Sequence, residues 1–128
     1  MIRTLAAIAV LIVAALHGFF LALEMFLWEG ETGRALTGYS AEEASFTAVL
    51  AANQGLYNGF LAAGLLWGLI AGKRDVTIFF LLCVVVAGLY GAWSAQSSTI
   101  IALQAAPGAI ALLLTLIAGR RPSKLIAG

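Results

Sequence analysis

Hydrophobic residues fall in four blocks along this chain, and polar residues lie between the blocks or at selected depths within them. The blocks cover about residues 4–28, 46–71, 76–94 and 98–118. Each is close to the ~20 residues a helix needs to cross the hydrocarbon core of a bilayer. Strands of a membrane barrel would be shorter and would alternate apolar with polar residues. These blocks do not alternate. The pattern predicts an all-α, integral membrane four-helix bundle, a single transmembrane domain over residues 1–128 with an outside loop at 29–45. No second domain, repeat or linker is visible. Arg3 followed by an apolar run has the outline of a secretory signal. The run continues to Trp28, beyond the ~7–15 residues of a signal core, so it reads as a retained helix.

Charge then sets the orientation. Arg3 precedes the first block, Lys73 and Arg74 separate the second from the third, and Arg120, Arg121 and Lys124 follow the fourth. With four spans, all six basic residues share one side with Asp75. The other side holds Arg34 among Glu29, Glu31, Glu42 and Glu43. The positive-inside rule places both termini in the cytoplasm of a protein of the plasma (cytoplasmic) membrane. In the outside loop, Gly30, Gly33 and Gly38 are expected to interrupt helix. Ser40 with Glu43 has capping-box spacing, so the second helix can begin at Ala41, ahead of its apolar block. Only a few polar residues around Gln96, Ser97 and Ser98 join the last two blocks, which predicts a tight antiparallel pair.

Composition narrows the function classes. Hydrophobic residues make up 62% of the 128 positions and charged residues 10%, against about 45–50% and about 25% in soluble domains. A globule of this size cannot hide so much apolar surface from water. A soluble enzyme and a disordered chain are excluded. A net charge of +1 offers no basic surface to track phosphates, so no nucleic acid partner is expected. One cysteine, Cys83, and one histidine, His17, leave no intramolecular disulfide and no thiolate cluster, and call for no metal or cofactor.

Polar residues inside the blocks cluster by depth. Glu24 lies about one turn below the outer end of the first helix and His17 about mid-membrane. Asn53, Gln54, Tyr57 and Asn58 lie two to three turns below the outer end of the second helix. Tyr90, Trp93 and Ser94 are near the outer end of the third, and Gln104 one to two turns into the fourth. The inner half is almost wholly Ala, Leu, Ile, Val, Gly and Phe. At about 100° per residue, His17 and Glu24 share a face that Trp28 extends. Asn53 pairs with Tyr57, and Gln54 with Asn58. Small and polar positions form stripes at Cys83, Ala87, Tyr90 and Ser94, and at Gln104, Gly108, Ala111 and Thr115. Such stripes face partners in lipid. The expected result is a bundle packed tightly in its inner half, with a polar pocket in its outer half. Pro107 removes one backbone donor near the pocket floor.

Ionisable groups within membrane helices are expensive and point to function. Glu24 is a candidate acid, base or ligand anchor, against the plainer reading of an interfacial carboxylate bonded to Asn53 or Tyr57. His17 is a candidate acid/base partner, against a neutral histidine bonded across the bundle. Trp28, Asn53, Gln54, Tyr57, Asn58, Tyr90, Trp93 and Gln104 are candidate ligand-binding residues. Their plainer readings are interhelical hydrogen bonding and, for the tryptophans, an aromatic belt. Gly55 and Gly59 form a GxxxG that leaves a homo-oligomer open.

Two stretches also carry a family resemblance. Leu23-Glu24-Met25-Phe26-Leu27-Trp28, with His17 seven residues before Glu24, is one. The other is Ala51 to Leu65, AANQGLYNGFLAAGL. Together they resemble the small membrane family called domain of unknown function 1304, and the likeness extends over essentially the whole chain. It implies a four-helix membrane protein and points to His17, Glu24, Trp28, Asn53, Gln54, Tyr57 and Asn58. It carries no assigned activity. Three functions stay open. The first is a binder of a small, partly apolar ligand in the outer half. The second is an enzyme of proton transfer or isomerisation on a lipophilic substrate through Glu24 and His17. The third is an oligomeric proton-coupled transporter. Membrane lipids are expected partners of all three.

Overall fold

The computed structural model describes residues 1–119. Arg120, Arg121 and Lys124, counted above in the charge asymmetry, lie outside the described residues. Helix α1 spans Ile2–Ala22 and continues into a π-helical turn, Leu23–Leu27. A short helix α2 covers Glu31–Thr37. Helix α3 is Ala41–Ile70 and α4 is Arg74–Ser94. A single turn α5, Ser98–Ile100, leads through a second π-helical turn, Ile101–Ala105, into α6, Ala106–Ala118. The described residues are all-helical, with no strand.

Among the described residues, three stretches are long and apolar enough to cross a membrane: Ile2–Leu27, Arg74–Ser94 and Ser98–Ala118. Helix α3 is the longest, at 30 residues, but is not among them. Asn53, Gln54 and Asn58 dilute its apolar middle, and Glu42 and Glu43 occupy its first turn. At 1.5 Å per residue it is about 45 Å long, more than the ~30 Å of hydrocarbon.

Each long helix packs on two others: α1 on α3 and α6, and α4 on α3 and α6. The core draws on all of them, with Val10, Val13 and Ala14 from α1, Leu65 from α3, Leu81 and Val84 from α4, and Ala111 from α6. Large apolar side chains including Ile12, Phe60, Phe79, Val86, Ile110 and Leu113 point outward. That outer surface suits lipid and not water. The buried stripe of α4 is Thr77, Leu81, Val84, Gly88 and Ala92, one position round from the stripe expected at Cys83, Ala87, Tyr90 and Ser94. Gly88 draws that face inward, because α4 meets the backbone of Ala105 there.

Turn chemistry explains the short connections. Helix α3 ends with Gly72 at φ +63°. The Gly72 N–H donates to Leu69 O at 3.3 Å and the Lys73 N–H to Gly68 O at 2.8 Å, the two bonds of a Schellman end. Helix α4 ends the same way. Gln96 takes the left-handed position at φ 50°, and the Ser97 N–H reaches Ala92 O at 3.1 Å. At the opposite end of α6, Arg74 Nε and Nη2 donate to Thr115 O and Leu116 O at 3.3 and 3.2 Å. A cation there satisfies carbonyls left over at a helix C-terminus.

The segment 29–45 is more ordered than its glycines imply. Gly30 and Gly38 do bound a helix, as N-cap and as a left-handed C-cap at φ 75°. Gly33 lies inside α2 instead of interrupting it. Its missing side chain lets α2 lie against the carbonyls of Leu27 and Trp28, where a Cβ would collide with backbone. Helix α3 begins at Ala41 with a complete capping box: Glu43 N–H donates to Ser40 Oγ at 3.2 Å, and Ser40 N–H to Glu43 Oε2 at 2.8 Å. The backbone N–H of Ser40, helped by its side chain, holds the Glu43 carboxyl below the usual carboxylate range. A depressed folded-state value stabilises above the unfolded value and loses that contribution as pH falls through the folded one. Ser40→Ala should therefore lower the thermal midpoint at neutral pH, by the order of 1 kcal/mol for a lost cap. Because alanine keeps the Ser40 backbone N–H, that gap should persist on acidification, whereas the gap between wild type and Glu43→Ala should shrink as pH falls through the depressed folded-state value of Glu43. A Glu43→Ala gap that does not change with pH would remove the Glu43 carboxylate from the explanation.

Candidate functional site

Both π-helical turns lie at the end of the molecule away from Lys73 and Arg74. One carries Glu24 and the other Gln104. A π turn shifts the backbone ladder by one residue, and such turns are frequent at functional sites. Pro107 gives the second turn a cause. It has no N–H, and its ring presses on the carbonyl of the preceding turn, which the wider turn relieves. No proline accompanies the first.

Between these turns lies a cavity of about 580 Å³. Its polar wall includes Glu24, Gln54, Asn58, Tyr90, Ser94 and Gln104. Phe20, Ala87 and Leu103 supply apolar surface. Asn58 is 5% exposed, and its Nδ2 donates to Glu24 Oε2 at 2.7 Å. That bond ties α3 to the first π turn across 34 residues of sequence. The approach depends on Gly55, one turn before Asn58. A Cβ there would stand 2.7 Å from Met25 Cγ and 3.0 Å from Glu24 Cβ. Glu24 also borders a smaller cavity of about 300 Å³ beside Trp28 and Glu29.

Not every candidate residue joins this group. Glu24, Gln54, Asn58, Tyr90 and Gln104 line the large cavity. Asn53 and Tyr57 are exposed and do not line it, because their face of α3 is turned about 100° from the face of Gln54 and Asn58. Tyr57 instead packs edge-on against Phe60, with ring centroids 6.0 Å apart. Trp93 is exposed and leans on Tyr90 at 5.7 Å. Trp28 belongs to the side of the smaller cavity. Its Nε1 donates to Thr47 Oγ1 at 3.0 Å, and Tyr39 of the 29–45 segment meets its ring edge at 5.8 Å.

His17 is fully buried below the cavity and is not in its wall. Its Nδ1 donates to Val13 O at 2.8 Å, and its ring meets Phe20 edge-on at 5.8 Å. Nε2 has no hydrogen-bond partner among the described residues. The described residues hold no hydrogen bond between His17 and Glu24, and no group of three or more His, Cys, Asp and Glu side chains arranged to hold a metal. Phe20, Leu103 and Thr99 of the cavity wall were not anticipated. Phe20 lies three residues after His17 and four before Glu24, so helical spacing alone could have placed it between them.

These features define an all-helical chain with apolar helices of membrane length, one of which carries a carboxylate hydrogen-bonded to its neighbour. Residues 11–116 match the family described as protein of unknown function (DUF1304), and the chain belongs to that family. No curated protein and no solved structure matches it.

Proposed function

We propose that this chain is a four-helix integral membrane protein of the plasma membrane, with both termini in the cytoplasm, that binds a small, partly apolar ligand in its extracytoplasmic half. The observation that carries the reading is the Asn58–Glu24 hydrogen bond at 2.7 Å in the wall of a cavity of about 580 Å³. That volume falls within the ~300–1,000 Å³ of small-molecule sites. The lining has the usual character of such sites, a few convergent polar groups on an apolar frame. The amides of Gln54 and Gln104 and the Glu24–Asn58 pair orient the ligand's polar end. Phe20, Ala87 and Leu103 receive its apolar part. Helix α3 is the fourth span: Gln54 and Asn58 turn to the cavity, and its Glu42–Glu43 end lies in the part of the helix that exceeds the ~30 Å of hydrocarbon. Arg3, Lys73 and Arg74 at the opposite end support the orientation.

Binding fits the geometry better than the alternatives. A proton relay would want His17 against Glu24, and His17 is bonded to its own helix. A transport path would continue inward, and Val10, Leu65, Leu81 and Ala111, all at 0–1% exposure, close the space below the cavity.

Native mass spectrometry of the protein released from mild detergent tests the reading. Wild type should retain a co-purified small mass that Glu24→Gln and Asn58→Ala lose. Gln54→Ala and Gln104→Ala should reduce its occupancy without altering the melting midpoint. The same adduct at the same occupancy in all four variants would place the ligand elsewhere. A bare protein in every sample, still bare after incubation with a lipid-soluble extract, would reject the proposal.

A further inference from the structure

We infer that the basic end of the protein carries a separate binding site for an anionic phospholipid. A crevice of about 260 Å³ opens there between α1, α3, α4 and α6. Ala6, Ala7 and Val10 of α1 and Leu69 of α3 line it, with Arg3 and Arg74. No Asp or Glu is among its lining residues within the described part of the chain. Arg74 does not sweep freely over this space. Its bonds to Thr115 O and Leu116 O hold the guanidinium against the end of α6. These two bonds engage Nε and Nη2, and the Nη1 edge takes no part in them.

The crevice thus pairs two cationic groups with an apolar wall, at the level where α3 ends and α4 begins. Nearby, Lys73 Nζ stands 5.0 Å above the Trp67 ring, an arrangement suited to the boundary between headgroups and acyl chains. Basic pockets between membrane helices recognise anionic headgroups. A free phosphate would satisfy Arg3 and Arg74 but leave the apolar wall uncovered. An acyl-linked phosphate satisfies both: the phosphate takes the arginines, and the first carbons of an acyl chain cover the half-buried Ala7 and Leu69. The sealed core at Val10, Leu65, Leu81 and Ala111 separates this crevice from the outer cavity, so the inference does not rest on the ligand proposed above.

The test uses the full chain in detergent, titrated with phosphatidylglycerol or phosphatidylcholine of identical acyl chains, with bound lipid counted by native mass spectrometry. Wild type should prefer phosphatidylglycerol. One basic group near an anionic surface is worth about fivefold in affinity, so Arg3→Gln should reduce the preference by about fivefold. Arg3 is chosen because Arg74→Gln would also uncap α6. Ala7→Phe, which fills the crevice without changing charge, should weaken binding of phosphatidylglycerol while leaving the melting midpoint within a degree or two. Excess glycerol phosphate should not displace the lipid. Equal binding of the two lipids, an undiminished preference in Arg3→Gln, unchanged binding in Ala7→Phe, or full displacement by glycerol phosphate would each overturn the site as described.

Discussion

Asn58→Leu should destabilise the folded protein by about 0.5–3 kcal/mol, the net contribution of a hydrogen bond, larger when one partner is charged. Asn58 is nearly inaccessible and gives its Nδ2 to Glu24 Oε2 at 2.7 Å. The leucine fills similar space but leaves the carboxylate facing α3 with no donor. Glu24→Gln should cost less, because the amide keeps an acceptor oxygen in the same place and loses only the charge assistance. The decisive comparison is a double-mutant cycle. Glu24→Leu with Asn58→Leu removes both partners, so its penalty should fall short of the summed single penalties by at least about 0.5 kcal/mol. Denaturation midpoints in one detergent, taken without added ligand, give all four corners. Additive penalties would mean that the two side chains do not depend on each other, and the anchor of the proposed ligand site would be lost with them.

Three of the long helices were legible because their apolar runs are long enough to cross a membrane, a requirement that composition reports directly. The start of α3 was legible for a different reason: Ser40 and Glu43 form their reciprocal bonds from local sequence alone. Residues that depend on which way a helix is turned were harder to read. Asn53 with Tyr57 and Gln54 with Asn58 are two polar faces of α3, one residue apart. Nothing in their side chains says which turns inward. Gly55 decides, because only its face permits the close approach to Met25 and Glu24. Sequence spacing likewise placed His17 and Glu24 on one face. The π turn at Leu23–Leu27 begins between them, and a one-residue shift in the backbone ladder leaves no compositional trace. Glycine carried opposite meanings at neighbouring positions. Gly38 ends a helix, whereas Gly33 allows one to dock.

Gly88→Ala should be the most damaging single methyl added to α4. Alanine ordinarily gains about 1 kcal/mol over glycine within a helix, and Gly18→Ala in α1, with nothing within 4 Å of the new Cβ, should be neutral or gain up to that amount. At Gly88 the new Cβ would stand 2.8 Å from Ala105 N and 3.0 Å from Ala105 Cα and Cβ. The obstacle is mostly backbone, so it cannot be relieved by a rotamer change. Ala105 also closes the π turn ahead of Pro107, where the ladder is already adjusted around the missing donor. Overpacking of this kind costs about 1–3 kcal/mol. Relief requires α4 to move away from the turn that holds Leu103 and Gln104. The change should therefore lower the melting midpoint and weaken retention of the outer-cavity ligand together, while Gly18→Ala alters neither adversely. Midpoints and native mass spectra of the two variants in the same detergent provide the check. A Gly88→Ala protein as stable as Gly18→Ala would show that the contact of α4 with the widened turn leaves room for a Cβ at Gly88.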